Sequence, residues 1–435
     1  MINKVISLLK DNTRISGFKL HEKNTESVEL FFIKKSLDMD RAKAVSHLTL
    51  TVYVDFKEAD ISYRGSSSSE IHPTMTKEEI LKTIERLSFA ASFVKNPMYP
   101  LVAKSSISPK ISTSNLSEKP LYEWIPEMTK AIYKEDTFDK GGLNSAELFL
   151  NKTATRIINS QGVDVSYVNY SGTLEFITTW KEDSEEIELY KNLNFSSFTP
   201  QLFYKEIANM ISQCKDKAIA KPTPNLDKIC VLLTGTSVIE FFSYYYDQAT
   251  ANSVYNKIST LKVGNNVQAE NIVGDKLSIT LDPKLDNSTF SVPYDDDGFL
   301  LSKIELYKNG LLKRNFGNVR FSHYLNIEPT GDIYNTIISS GSKSKLELKQ
   351  APYLELIAFS DFQMDSLTGD FAGEIRLGYY YNGSSIVPVT GGSLSGNIKN
   401  VHNNMYLSKE LQQDNNFVGP ETILLNNVSI AGCTE

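Results

Sequence analysis

The sequence is poor in the residues that carry the commonest catalytic and metal-binding chemistries. Its 435 residues include three cysteines, Cys214, Cys230 and Cys433, with no close pair and no C-x-x-C. So sparse and odd a count excludes a disulfide framework and fits a reducing compartment. The five histidines are His21, His47, His72, His323 and His402, and none lies within ten residues of another. No Lys/Arg block interrupts a chain of formal net charge −7. That argues against a dedicated nucleic-acid surface, because binding a duplex rests on neutralising phosphates. No apolar run approaches the roughly 18 residues of a membrane span. The opening MINKVISLLKDNTRISGF is broken by Lys4, Lys10 and Asp11, and sets Ile2, Val5, Ile6 and Leu9 at helical spacing. It predicts a surface helix rather than a signal peptide, and the expectation is a soluble cytoplasmic protein.

What is present is ordinary globular material, 41% hydrophobic and 22% charged, enough for two or three domains. In HLTLTVYVDF, Leu48, Leu50, Val52, Val54 and Phe56 alternate with Thr49, Thr51, Tyr53 and Asp55. This is a half-buried strand, and VELFFIKKS before it and ADISYRG after it complete an antiparallel sheet. In TKEEILKTIERLSFAASFV, Thr76 and Glu79 form a capping box, and Ile80, Ile84, Leu87 and Ala91 an apolar stripe. The Ser-rich stretch from about 104 to 119 reads as an exposed loop, followed by a helix near Leu121 to Tyr133. Strands with a hairpin turn at Asn159 to Gly162 come next. A helix opened by Pro200 then carries the chain towards Pro222. After DKICVLLTG, a short buried strand, turn signals at DDDG, KNG, NGSS and TGG punctuate a strand-rich remainder. The fold class is therefore α+β. Residues 1–222 form an N-terminal domain of antiparallel sheet with packed helices, and residues 223–435 a strand-rich C-terminal domain.

The stretch TGDFAGEIRLGYYYNGSSIVPVTGGSLSGN, Thr368 to Asn397, holds seven glycines. A phosphate cradle needs a strand, then G-x-G-x-x-G, then a helix. Here strands follow the glycines, so Gly383, Gly391 and Gly392 read as turn residues. The consecutive Asp295, Asp296 and Asp297 lack the alternation of a calcium loop and also read as a turn.

These blocks resemble, in order and spacing, those of the TldD/PmbA family, the "modulator of DNA gyrase" proteins regarded as metallopeptidases. The resemblance rests on TGDFAGEIRLGYYYNGSSIVPVTGGSLSGNI, on DDDGFLLSKIELYKNGLLKRNFGNVRFSHYLNIEPTGD and on INSQGVDVSY. The family has two kinds of subunit. The TldD kind carries H-E-x-x-x-H on a helix after a strand, together with a late cysteine. Two such histidines can grip one zinc, and the glutamate can activate its water. The TldE (PmbA) kind lacks those histidines and pairs with the first. In this chain the corresponding stretch is LLTGTSVIEFFSYYYDQA, which has no histidine. Thr236, Ser237, Glu240 and Phe241 occupy the degenerate motif, and neither threonine nor phenylalanine replaces imidazole on zinc.

The resemblance thus implies a TldE/PmbA-like subunit with no catalytic or metal residues and no zinc of its own. It implies pairing with a TldD-like subunit, or with itself, around a cleft for unfolded peptides, involved in their proteolysis or maturation. Tyr244, Tyr245, His323, Asp370, Phe371, Gly391, Gly392 and Ser393 are the candidate cleft or interface residues. The aromatic run FFSYYY has two readings, an exposed partner interface or the monomer's own core. Two other functions stay open. One is a self-sufficient hydrolase with a divergent metal site drawn from His323, Glu240 and Cys433. The other is a non-enzymatic regulator of DNA gyrase.

Overall fold

The computed structural model describes residues 1–109, 112–183, 185–226, 229–269, 271–350 and 352–433. The N-terminal half holds α1 (Ile2–Lys10), β1 (Gly17–Ile33), β2 (Ser36–Glu58), β3 (Ile61–Glu70), α2 (Lys77–Ala91), α3 (Ile125–Tyr133), β4 (Gly141–Asn159), β5 (Asp164–Glu182), β6 (Glu185–Phe195) and α4 (Pro200–Ala218). The six strands form one antiparallel sheet in the order β3-β2-β1-β4-β5-β6. Alternation decides its faces. Phe18 and Leu20 of β1, with Leu48, Leu50 and Val52 of β2, pack under α1 and α2. Farther along the same face, Leu30, Leu148, Leu150, Leu174 and Phe176 pack under α3 and α4. The opposite face carries Lys19, Thr51 and Tyr53 and meets the C-terminal half.

The helices form where their side chains specify them. In α1, Ile2, Val5, Leu8 and Leu9 are buried. In α2 the capping box is complete: Thr76 Oγ1 accepts from Glu79 N (3.2 Å), and Thr76 N donates to Glu79 Oε2 (2.7 Å). Ile80, Ile84, Leu87 and Ala91 are all buried. The Asn159 side chain shapes the β4–β5 hairpin, accepting from the amides of Gln161 and Val163. The Ser-rich stretch departs from the expectation in part. Residues 103–108 are exposed, but Asn115–Glu118 form a 3-10 turn that buries Leu116 in the N-terminal core. Residues 110 and 111 of that stretch lie outside the described residues.

The C-terminal half is strand-rich. Its strands are β7 (Lys221–Pro222), β8 (Cys230–Thr234), β9 (Ile279–Leu281), β10 (Ile304–Lys308), β11 (Leu311–Leu312), β12 (Thr336–Ile338), β13 (Tyr353–Met364), β14 (Asp370–Tyr381), β15 (Ile386–Thr390), β16 (Ser393–Asn397), β17 (Tyr406–Leu407), β18 (Leu411–Asp414), β19 (Phe417–Pro420), β20 (Thr422–Leu425) and β21 (Ser429–Ala431). One sheet runs β17-β20-β8-β13-β14-β15-β7, with β16 and β21 attached to β14; a second runs β11-β10-β9-β12-β19-β18. β7 pairs with β15, so Lys221 and Pro222 are already part of the C-terminal sheet. Three glycines of the 368–397 stretch serve the turns expected of them, Gly383 with φ +99° between β14 and β15, and Gly391 and Gly392 with φ +76° and +77° between β15 and β16, while Gly373 and Gly378 lie within β14 and Gly396 within β16. At DDDG, Asp295 Oδ1 accepts from the amides of Asp297 and Phe299 (2.9 Å each), which is a turn. Among the described residues no helix is long and apolar enough to cross a membrane.

Replacing Thr76 by Ala removes the cap while leaving the buried stripe of α2 intact. Urea unfolding is expected to show a loss of about 1 kcal/mol; a variant as stable as the parent would show that the box contributes nothing.

Candidate functional site

Strand β8 ends at Thr234 and delivers the chain through Gly235 (φ +76°) into α5 (Thr236–Ala249). A residue with a Cβ rarely adopts that backbone, so glycine makes the sharp strand-to-helix junction possible. Ser237 is buried, and its hydroxyl donates back to Thr234 O (3.3 Å). Glu240 is exposed on the helix surface. Partial desolvation by its neighbours still pushes its carboxyl above the ordinary range, Asp247 and Asp361 adding to the effect while the Met364 amide opposes it.

The aromatic run that follows lies inside the chain. Phe241, Phe242, Tyr244 and Tyr245 are all at most 2% exposed. Phe241 meets Phe371 of β14 edge-on (5.4 Å between centroids), Phe242 stacks on Phe417 of β19 (6.4 Å), and Tyr245 meets Tyr307 of β10 (5.8 Å). Helix α5 is therefore held between the two C-terminal sheets, and this covers it on both sides. The interface reading of FFSYYY required an uncovered face and is corrected by this arrangement. Tyr244 and Tyr245 are core residues, as is Phe371, which is 2% exposed.

The other candidate residues fall into separate places. Asp370 opens β14 beside a polar cavity of about 720 Å³ that also touches Asp365, Asn397, Asn400, Asn427 and Ser429. The Asn397 amide donates to Asp370 Oδ1 (2.7 Å) and, with Thr368, holds that carboxyl below the usual range. The residues lining this cavity include neither histidine nor cysteine. Gly391, Gly392 and Ser393 lie at the other end of β16, about 13 Å along the strand. There a Cβ on Gly391 would come within 2.5 Å of Cys433 Sγ, and one on Gly392 within 2.3 Å of Ala431 O. These glycines are where the C-terminal segment packs down. His323 is exposed on α7 (Val319–Tyr324), the helix that follows α6 (Ala251–Tyr255).

Residues 226–432 match the sequence profile of the PmbA/TldA metallopeptidase C-terminal domain. A metalloprotease PmbA homologue of Buchnera aphidicola is 22% identical over 97% of this chain and 96% of its own. An uncharacterised protein of Methanocaldococcus jannaschii is 25% identical over 63% of this chain and 66% of its own length, just under two thirds. The C-terminal half of this chain, residues 226–432, belongs to the TldD/PmbA family. The chain's fold is also that of TldE from Thermococcus kodakarensis, with a TM-score of 0.78, 16% identity, and coverage of 99% of this chain and 100% of that one. A Thermotoga maritima chain proposed as a modulator of a DNA gyrase gives a TM-score of 0.76 at 17% identity over 99% of each.

The name of the matched domain implies a metal, and the donors near the motif position are few. At the motif position, the Ser237 hydroxyl is turned onto the backbone of β8, Phe241 is in the core, and Glu240 is the sole carboxylate of the four residues. The buried His402 has its Nδ1 3.3 Å from the Tyr245 hydroxyl. Cys433 is exposed beside Gly391, and three strand spacings, about 14 Å, separate β8 from β15. Among the described residues no three of His, Cys, Asp and Glu stand close enough to hold a metal together. The structure does not bring His323, Glu240 and Cys433 together, and these side chains do not fit zinc.

Two outcomes follow from this packing. Phe241→Ala should lower unfolding stability by about 3–5 kcal/mol, read by urea titration, because a fully buried ring that packs α5 onto Phe371 of β14 is lost. The second concerns His402, whose pKa is lowered to about 4 by burial first and Lys399 second. A histidine depressed in the folded state leaves stability unchanged above its unfolded value near 6.5 and removes stability as pH falls from there towards 4. The parent should therefore lose up to roughly 3 kcal/mol more than His402→Asn across that window. Parallel stability curves for the two proteins would contradict this.

Proposed function

We propose that this chain is the TldE/PmbA-like subunit of a two-chain metallopeptidase, without a zinc site of its own. In this reading it pairs with a TldD-like subunit and helps hold unfolded peptides for cleavage or maturation. The observation that carries the reading is the use of α5. The helix that bears H-E-x-x-x-H in TldD-type subunits is spent here on aromatic packing between two sheets, with Thr236, Ser237, Glu240 and Phe241 where ligands would be needed. The blocks around it, from DDDG to SGN, keep their family order, which supports a role in assembly or substrate binding. The likeness to a structure named TldE supports the subunit type, and the name of the Buchnera relative supports peptide chemistry. A cleft that adds peptide as a strand would use main-chain hydrogen bonds and tolerate many sequences.

The test is co-expression with a TldD-like subunit carrying an intact motif. Cleavage of an unfolded peptide is expected only with both chains, and is expected to vanish when the partner's motif glutamate is replaced by glutamine. If this chain alone degrades the peptide and a chelator abolishes that activity, the reading is wrong.

A further inference from the structure

A second cavity, of about 260 Å³, lies where the N-terminal sheet meets the C-terminal half. Its floor is one face of three adjacent strands, with Lys19 of β1, Thr51 and Tyr53 of β2, and Ser66 and Ser68 of β3. Tyr99 to Val102 form one wall, and Asp297 with Asn318 to Phe321 close it from the C-terminal side.

The cations around it are paired with carboxylates, with one exception. Lys19 binds the Asp297 carboxylate and donates to Asp296 O. Asp295 Oδ1 accepts from its own turn amides while its buried Oδ2 has no partner among the described residues, and Asp332 accepts from the neutral Asn318 amide (3.2 Å). Arg64 is paired with Asp55. Among the described residues Arg320 has no carboxylate partner. Its guanidinium lies over the rings of Tyr99, Phe321 and Tyr324, 5.1–5.7 Å from their centroids, and donates to Asn96 Oδ1 (2.7 Å). The planar group is thus held in place, with donors to spare. Tyr53 and Tyr99 line the cavity, and among the described residues neither hydroxyl has a hydrogen-bond partner. Burial pushes both phenols well above their ordinary range, so both keep their protons and can donate.

The rim of the cavity is an open strand edge. Arg64 N donates outward to Asn96 O (2.9 Å), and Ser62 O accepts from Met98 N (3.2 Å), so residues 96–98 cover the start of β3. Backbone direction repeats every two residues in a strand, so Ser66 and Ser68 also point their N–H and C=O groups outward. Among the described residues nothing pairs with those groups. The covering segment meets β3 at Arg64, next to the serines, runs antiparallel away from them to Met98 opposite Ser62, and continues into the cavity wall at Tyr99.

We infer that this cavity binds the C-terminal carboxylate of an extended peptide, with the carboxylate on Arg320 and the Tyr53 and Tyr99 hydroxyls, and the preceding residue paired to the free edge at Ser66 and Ser68. A guanidinium fork matches a carboxylate in two parallel hydrogen bonds. The free edge supplies main-chain pairing of any sequence. The volume accommodates one or two residues rather than a folded partner. The inference rests on the peptide reading of the function for the nature of the ligand, but it needs no second subunit.

The experiment is calorimetric titration of the full chain, without any partner, with acetyl-Ala-Ala as the free acid, the same dipeptide as its amide, and inorganic phosphate. The free acid is expected to bind one per chain, at least about tenfold tighter than the amide and tighter than phosphate. Arg320→Gln should abolish that preference. Tyr53→Phe should weaken the free acid severalfold without changing the thermal midpoint. Because Arg320 also ties the two halves through Asn96, a failure of Arg320→Gln to fold leaves the decision to Tyr53→Phe and to the acid–amide comparison on the unaltered chain. Equal binding of acid and amide, tighter binding of phosphate, or no saturable binding would each overturn the inference. A null result in the two-chain cleavage assay would leave it standing.

Discussion

The C-terminal half depends on one helix being wrapped by two sheets. From α5, Phe241 reaches β14 of one sheet, while Phe242 and Tyr245 reach β19 and β10 of the other. Tyr307 adds a hydrogen bond from its hydroxyl to Tyr245 O (2.8 Å), so the second sheet is fixed to the helix by polar as well as apolar contact. Each fully buried ring is worth roughly 1.5–3 kcal/mol. The ring-bearing sides of this helix are spent on the core, and the motif residues left exposed, Thr236 and Glu240, offer a single carboxylate.

The N-terminal sheet solves a different problem. Six strands, four of them of 17 residues or more, need cover on both faces. Four helices cover one face. The C-terminal half covers part of the other through ring contacts, Tyr99 with Tyr324 and Tyr167 with Tyr294, and through polar ones, Lys19 with Asp297, Arg320 with Asn96, and Tyr324 with Pro97 O. The polar part of the junction leaves room and unpaired donors where a dry one would not. For that reason the smaller cavity forms at this seam and not within either core.

Local pattern carried much of the architecture. Strict alternation at Leu48 to Phe56, the Thr76–Glu79 box, Pro200 at a helix start and the glycine turns after Thr368 each depend on neighbours within a few residues. The family resemblance was legible for the same reason, since its blocks are contiguous in sequence. The absence of histidine from Thr236 to Ala249 was also plain from the letters alone.

The sequence by itself determined the α+β class, the order of the elements and the lack of zinc donors at the motif, because these follow from period, capping and side-chain chemistry. Only the tertiary structure decided where FFSYYY points. Its apolar content is the same whether a partner or a second sheet covers it, and the second sheet is assembled from residues 279–312, 336–338 and 411–420, far from the helix in sequence. The same holds for Arg320. Nothing around it in VRFSHYL marks it, because the tyrosines, the serine edge and the asparagine that give it a site come from residues 53 to 99 and meet it only when the two halves close.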